Sequence, residues 1–571
     1  MCGIFALLNT KDHDKNIINN EFMKGKNRGP EFSKLEYTYM KMVLGFHRLA
    51  INGLNEESNQ PLIINDVVLI CNGEIYNYKQ LYNKMGIQPT TGSDCEVIIH
   101  LYIKYGIEQT LNMLDGVFSF ILYDNRIHQD LNNKIYIARD PFGVRPLYYL
   151  KNKEDCNNLY GFASELKCLE QFYNKNIFHY TIQQFEPGTY SVFNMSSMVH
   201  SSWEIEKENT PYFIPTFSHS WLKSDHIFID NLFSRISSFL NAAVNKRCLT
   251  TERPIACLLS GGLDSSLIAG LVNNYYNLNN LPNKLETYSI GLEGSEDLKY
   301  AKIVSEYLGT NHTEIIVTEK EMFDAIPDVI QAIESYDTTT VRASIGNFLL
   351  GKYISTHSNA KVIFNGDGAD ELLGGYLYMN KCSDDIEFDK ETRRLLKDIH
   401  LFDVLRSDKC ISSHGLEPRT PFLDRSFANF ILSVPAYLRN HKNNKEYFKR
   451  NSIEKFLLRF SFSSENFKDF NNKQILPEEI LWRKKEAFSD GVSSHGRSLF
   501  QILQEHIAFD MNINPQTTSY LPCIETEKQY YKEIFDKAYP NCSHILPYFW
   551  MPKYTNATDP SARTLDIYEN K

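Results

Sequence analysis

The 11 cysteines of this 571-residue chain form no CxxC pair, their number is odd, and no HExxH stands anywhere. A disulfide framework and a conventionally spaced zinc site are therefore not expected, and most thiols should behave as small buried apolar side chains. No run approaches the ~18–20 apolar residues that a membrane span needs. The start, MCGIFALLNT, has neither a basic n-region nor an apolar stretch long enough for a secretory signal. The expected location is the cytoplasm, without a membrane partner. Surplus basic charge is also missing: the net charge is −10, which argues against a broad nucleic-acid surface. Neither Gly25-Lys26 nor Gly351-Lys352 is followed by Ser or Thr, so a Walker A loop is excluded. No internal repeat or low-complexity tract is visible.

What is present is an ordinary globular composition, 42% hydrophobic and 23% charged, in a chain too long for one core. Two domains are expected. In the first, short segments rich in β-branched and aromatic residues alternate with turns: Met42–Ile51, Val67–Ile75, Gly116–Tyr123, Lys134–Ala138 and Thr189–Phe193. They predict layered antiparallel sheets with a few helices, one beginning near Ser93. The polar stretch Glu206–Thr216, with Pro211 and Pro215, reads as a linker. Beyond it strands alternate with helices: strand Ile255–Leu259, helix Ser265–Tyr275, strand Thr287–Gly291, helix Asp297–Leu308, strands Thr313–Val317 and Lys361–Phe364. That grammar predicts an α/β domain with a doubly wound parallel sheet, followed after about residue 385 by packed helices. The expected domains are 2–205 and 206–571.

The strand IACLL runs into Ser260-Gly261-Gly262-Leu263-Asp264-Ser265-Ser266 and then a helix. Glycines let backbone approach an anion, hydroxyls and the helix N-terminus supply donors, and Asp264 can hold a cation that neutralises polyphosphate. This loop resembles the pyrophosphate loop of ATP pyrophosphatases, which implies adenylation chemistry. A second turn, Asn365-Gly366-Asp367-Gly368-Ala369-Asp370-Glu371, ends another strand and should reach the same sheet edge.

At the other end, Cys2 would carry both a thiol and an α-amino group once Met1 is removed, so nucleophile and base share one residue. Alongside it stand Phe46-His47-Arg48-Leu49-Ala50-Ile51, Cys71-Asn72-Gly73-Glu74-Ile75-Tyr76-Asn77 and Gly92-Ser93-Asp94-Cys95-Glu96. Together these resemble the glutaminase domain of class II amidotransferases, the N-terminal-nucleophile hydrolases. Through Ser260–Ser266, Ile290–Ser295, Gly415–Asp424, Trp482–Gly491 and Asn556–Leu565 the likeness extends over nearly the whole chain, which is similar to the glutamine-hydrolysing asparagine synthetase family in its longer eukaryotic-type form.

The resemblance implies an N-terminal-nucleophile hydrolase domain followed by an ATP pyrophosphatase-type synthetase domain. Cys2 would attack glutamine, with the Asn72 amide and the Gly73 N–H as oxyanion hole. Arg48, Leu49, Ala50, Ile51, Asn52, Glu74 and Asp94 would surround glutamine, Arg48 on its carboxylate and Glu74 with Asp94 on its ammonium. Leu258 and Ile290 would flank adenine, with Ser260–Ser266, Asn365 and Gly366 at the phosphates of ATP. Asp264 and Asp370 would bind Mg²⁺, Lys485 would stabilise the adenylation transition state, and Thr339, Thr340 and Arg342 would shape the aspartate site. The partners implied are small-molecule substrates, and the family pattern leaves room for a homodimer. Two departures stand out: Asn365-Gly366-Asp367-Gly368 replaces the family's Ser-Gly-Glu-Gly, and Asn27-Arg28-Gly29-Pro30-Glu31 replaces His-Arg-Gly-Pro-Asp. Asp367 keeps a catalytic carboxylate but shortens its reach by one methylene. Two other readings stay open on the residues alone: an amidotransferase with a different acceptor, and a weakly active ligand-binding homologue.

Overall fold

Period-two alternation governs the first half. In strand Gly3–Leu8, Ile4, Ala6 and Leu8 face one side and Phe5 and Leu7 the other, and all five are buried. A strand apolar on both faces must lie between two layers. The computed structural model describes residues 2–10, 13–38, 41–126, 133–153, 159–175, 177–195, 202–214, 231–486, 488–493, 497–511 and 523–565. Within them this half contains β1 (Gly3–Leu8), β2 (Phe32–Thr38), β3 (Met42–Arg48), β4 (Leu62–Ile64), β5 (Val67–Ile75), β6 (Gly116–Asp124), β7 (Lys134–Arg139), β8 (Tyr148–Asn152), β9 (Tyr160–Ala163), β10 (Tyr180–Gln184), β11 (Thr189–Met195) and β12 (Trp203–Pro211). They form two antiparallel sheets, β10-β8-β9-β1-β3-β2 and β12-β11-β7-β6-β5-β4.

Ile4, Ala6, Leu44 and Phe46 of the first sheet meet Ile70, Ile121 and Ile137 of the second. The opposite face of the first sheet, with Phe5 and Leu7, packs on helix Lys15–Met23 through Ile18 and Phe22, and on Ile330 and Ile333 of the second half. Cys71, Phe120 and Leu122 cover the outer face of the second sheet beneath helices Tyr78–Met85 and Val97–Met113. The result is a helix–sheet–sheet–helix sandwich, in which each fully buried Ile, Leu or Phe contributes about 1.5–3 kcal/mol.

The second half is built on β13 (Ile255–Leu258), β14 (Glu286–Gly291), β15 (Asn311–Ile316), β16 (Val362–Phe364) and β17 (Glu417–Arg419), all parallel, in the order β15-β14-β13-β16-β17. The chain winds outward from β13 to β15, then returns to the other side of β13. The order therefore reverses between β13 and β16, and a crevice opens at their carboxyl ends. Both glycine loops sit there.

Two expectations change. Residues 206–211, read as linker, belong to β12, which pairs with β11 through a bulged register. Its polar side chains reflect a half-exposed edge strand rather than a connection. The expected boundary at 205/206 cuts through this strand, and residues 215 and 216 of the same stretch lie outside the described residues. The helical region after residue 385 also contains β17, whose Glu-Pro-Arg sequence carries no strand signal and is held by pairing with β16.

Candidate active sites

Pairing of Gly3 with His47 brings Cys2 beside the end of β3 and hence beside Arg48. The Cys2 thiol is 3.8 Å from the Leu49 carbonyl oxygen, and Arg28 donates to the Cys2 carbonyl at 3.0 Å. Burial pushes the thiol pKa up, and the nearby Arg48 cation opposes that rise. On β5 the alternation turns Asn72 and Glu74 to one side. Asn72 is fully buried; its Nδ2 lies 3.4 Å from Ser164 Oγ, which also accepts the Ile4 N–H at 3.1 Å, while its Oδ1 has no partner.

Asn52 Nδ2 gathers the two carboxylates, 2.6 Å from Glu74 Oε2 and 3.5 Å from Asp94 Oδ1, and reaches the Thr250 carbonyl at 3.2 Å. Burial raises Asp94 to about 6; burial and the Asp94 charge raise Glu74 well above the usual range, with Arg419 at 3.6 Å opposing. Arg419 is itself paired with Glu417 at 2.8 Å, so the two buried carboxylates form a place for a further positive charge. Arg48 commits its terminal nitrogens to the loop, donating to the Asn55 carbonyl at 2.9 Å, Asn59 Oδ1 at 2.8 Å, the Asn52 carbonyl at 3.3 Å and the Gly53 carbonyl. Leu49, Ala50 and Ile51 are buried, and the second half clamps them: Arg253 Nε donates to the Ala50 carbonyl at 2.8 Å and Glu252 N–H to the Ile51 carbonyl at 3.0 Å. Glu31, the longer replacement for Asp, spans the Ala50 N–H at 2.7 Å and Arg253 at 2.9 Å.

The second cleft is lined by Leu258, Ser260, Gly262, Asp264, Ser265, Ile290, Thr339, Asn365, Gly366, Asp367, Asp370 and Lys485, twelve of the residues singled out from the sequence. Gly261 has φ +71°, and a Cβ there would lie 2.5 Å from the Tyr300–Ala301 peptide. A Cβ on Gly366 would fall 2.9 Å from Asp264, so its absence lets the two loops touch. Asp264 sits in the first turn of helix Leu263–Leu278, where the helix N-terminus favours an anion. Gly261 and Ser266 are not on the lining: the Gly261 carbonyl accepts from Arg483 at 2.9 Å, and Ser266 is fully buried.

Sequence reasoning misses Lys455. Its ammonium lies 2.5 Å from both Asp264 and Asp370, and Lys485 also pairs with Asp370. Against the effect of burial, these lysines hold the Asp370 carboxyl well below its ordinary range. Lys455 takes a left-handed backbone, φ +55°, at a cost of about 1 kcal/mol, and stands in no periodic pattern. Only the fold brings it here. Arg406 and Asp403 are likewise in the cleft, with Arg406 donating to Asp367 at 3.0 Å and to Asp403 at 3.1 Å. Asn365 Nδ2 donates to Ser407 Oγ at 2.6 Å.

Asp264 Oδ1 is buried without a hydrogen-bond partner, and oxygen is the donor type a hard divalent cation prefers, so Asp264 with Asp370 fits Mg²⁺. No group of three or more His, Cys, Asp or Glu among the described residues is arranged for a metal. Two carboxylates would therefore share the ion with substrate phosphates, as Mg²⁺ sites commonly do.

Of the three residues expected around aspartate, the structure keeps only Thr339 in the nucleotide cleft. Thr340 lines an adjoining cavity, but Asp337 caps helix Thr338–His357 by accepting the Thr340 N–H at 2.8 Å and its hydroxyl at 2.7 Å. Arg342 is buried and turned away, with Glu527 at 2.6 Å and Asp559 at 2.7 Å as forked partners. One helical turn separates a cleft-facing threonine from an arginine in the core. Arg342→Met is expected to destabilise the fold by about 3–5 kcal/mol by stranding two buried carboxylates. Denaturant unfolding checks this: unchanged stability with a raised KM for aspartate would return Arg342 to the site.

Residues 1–201 match the family model described as a glutamine amidotransferase domain, and residues 235–385 and 380–550 match that of asparagine synthase. The chain is similar to asparagine synthetase [glutamine-hydrolyzing] of Gallus gallus, 40% identical over 585 residues, covering 100% of this chain and 99% of the relative. The proteins of that name from Cricetulus griseus and Homo sapiens are each 38% identical, over 590 and 589 residues, with the same coverage.

Proposed function

The chain belongs to the glutamine-hydrolysing asparagine synthetases, and from that membership we propose how its own residues divide the work. The protein makes asparagine from aspartate with ATP, taking nitrogen from glutamine. Cys2 attacks the side-chain amide of glutamine, the Asn72 amide and the Gly73 N–H stabilise the oxyanion, and ammonia leaves; water then releases glutamate from the thioester. Glu74 and Asp94 hold the substrate ammonium, and Arg48 supports the loop Asn52–Asn59 beside them. In the second cleft the β-carboxylate of aspartate attacks the α-phosphorus of ATP, pyrophosphate leaves, and ammonia displaces AMP from β-aspartyl-AMP. Mg²⁺, held by Asp264 and Asp370, would neutralise charge on the pyrophosphate. Leu258 and Ile290 offer apolar walls to adenine, Lys455 and Lys485 offset charge at the phosphates, and Thr339, Arg406 and Asp403 take the aspartate.

The observation that carries this reading is the meeting of Asp264, Asp370, Lys455 and Lys485 at the point where the strand order reverses. Pyrophosphate release tests it. Release should require aspartate and proceed with either glutamine or ammonia, and glutamate and asparagine should form in a ratio near one when glutamine is the donor. Folded protein that releases no pyrophosphate in response to aspartate would refute it.

A further inference from the structure

The motif Asn556–Leu565 supplies no residue to either site, yet it reaches both elements that frame the nucleotide cleft. On one side Asp559 accepts from Arg342 Nη1 at 2.7 Å and Nη2 at 2.8 Å, in the second turn of the helix Thr338–His357 that also carries Thr339. Just upstream, the Trp550 N–H donates at 2.7 Å to Asp337, the residue that caps the same helix. On the other side Ser561 Oγ donates to Asp490 Oδ1 at 2.7 Å. Arg563 Nε donates to Glu486 Oε1 at 3.1 Å, and its Nη2 to the Asp490 carbonyl at 2.8 Å. Asp559 binds the Ser561 N–H at 2.8 Å, so the two ends of this bridge are tied to each other.

Glu486 is the neighbour of Lys485. Residues 483–486 lie in neither helix nor strand, so no backbone ladder fixes where the Lys485 ammonium stands. The Arg563–Glu486 pair, each side chain 8% exposed, is protected enough from water to hold a fixed geometry. We propose that the segment Trp550–Leu565 is a clasp that registers the Lys485 loop against helix Thr338–His357, with Arg563 acting through Glu486 as a positioning residue for adenylation. The inference rests on the reading of Lys485 as the lysine that serves adenylation.

The test is aspartate-dependent pyrophosphate release by the full-length protein at saturating ATP and ammonia. Arg563→Gln should lower the rate about 10²-fold, the scale of a misplacement of about 1 Å. The KM for ATP and glutamine hydrolysis at Cys2 should stay near wild type, and Arg563→Lys should recover part of the rate because an ammonium can still reach Glu486. Lys485→Met should be impaired by itself. Adding Arg563→Gln to it should cost little more, because the residue being positioned is already gone. Wild-type release by Lys485→Met refutes the reading of Lys485. Impaired Lys485→Met beside a normal Arg563→Gln, or losses that simply multiply, refutes the clasp. Loss of both half-activities with a lowered unfolding temperature also overturns it, since Arg563 would then be only a structural residue.

Discussion

Cys2→Ala is expected to lower glutamine-dependent asparagine formation about 10⁴-fold or more, the scale on which loss of a covalent nucleophile is felt, while ammonia-dependent formation persists. The asymmetry follows from where the residue sits. Cys2 stands just before β1 with its thiol 3.8 Å from the Leu49 carbonyl, whereas Asp264, Asp370 and Lys485 gather at the far ends of β13 and β16 in the other half. Alanine removes the atom proposed to bond to the glutamine carbon and leaves the backbone contact from Arg28 in place. The buried carboxylates Glu74 and Asp94 also remain, so glutamine should still bind without being turned over. Parallel assays with glutamine and with ammonia, together with glutamine binding by calorimetry, check all three statements. Equal loss of both activities in a folded variant would mean that Cys2 does more than release ammonia. A protein that retains Met1 should resemble this variant, because its α-amino group no longer belongs to the nucleophile.

The second large effect is expected at Asp264. Asp264→Asn should reduce aspartate-dependent pyrophosphate release by on the order of 10²–10³-fold, comparable to removing a fixed group that stabilises developing charge, with glutamine hydrolysis nearly intact. The substitution is isosteric but takes away the negative charge that Lys455 meets at 2.5 Å, and it would convert one carboxylate of the proposed Mg²⁺ pair to a weaker ligand. Lys455 would then lean wholly on Asp370, which already pairs with Lys485. Raising Mg²⁺ should recover part of the rate if the loss lies in metal affinity. A variant with wild-type pyrophosphate release at ordinary Mg²⁺ would remove Asp264 from the metal site.

Local patterns were readable wherever one short segment decides its own geometry. The Ser260–Ser266 loop announces itself because glycine, hydroxyl and acid must follow a strand within a few residues. Val67–Ile75 is a strand with the same limits in sequence and structure, since every second side chain is apolar on one face. The Glu206–Thr216 stretch misleads for the same reason: an edge strand with one wet face has a linker's composition. Thr339 and Arg342 lie three positions apart, on one side of the same helix, and it is the buried carboxylates Glu527 and Asp559, 185 and 217 positions away, that draw the arginine out of the cleft.

Composition and periodicity by themselves determined the two-part architecture and the strand–loop–helix unit at Ser260–Ser266, because each is set by neighbours along the chain, whereas the nucleophile and the kind of reaction rest on the resemblance of its motifs to a known family. Tertiary structure alone decided that Lys455 stands between Asp264 and Asp370, that Arg406 rather than Arg342 lines the cleft, and that the C-terminal motif grips the Lys485 loop. Those placements depend on buried charges finding partners across hundreds of residues, and a charge removed from water selects its partner by distance in space, which no local pattern encodes.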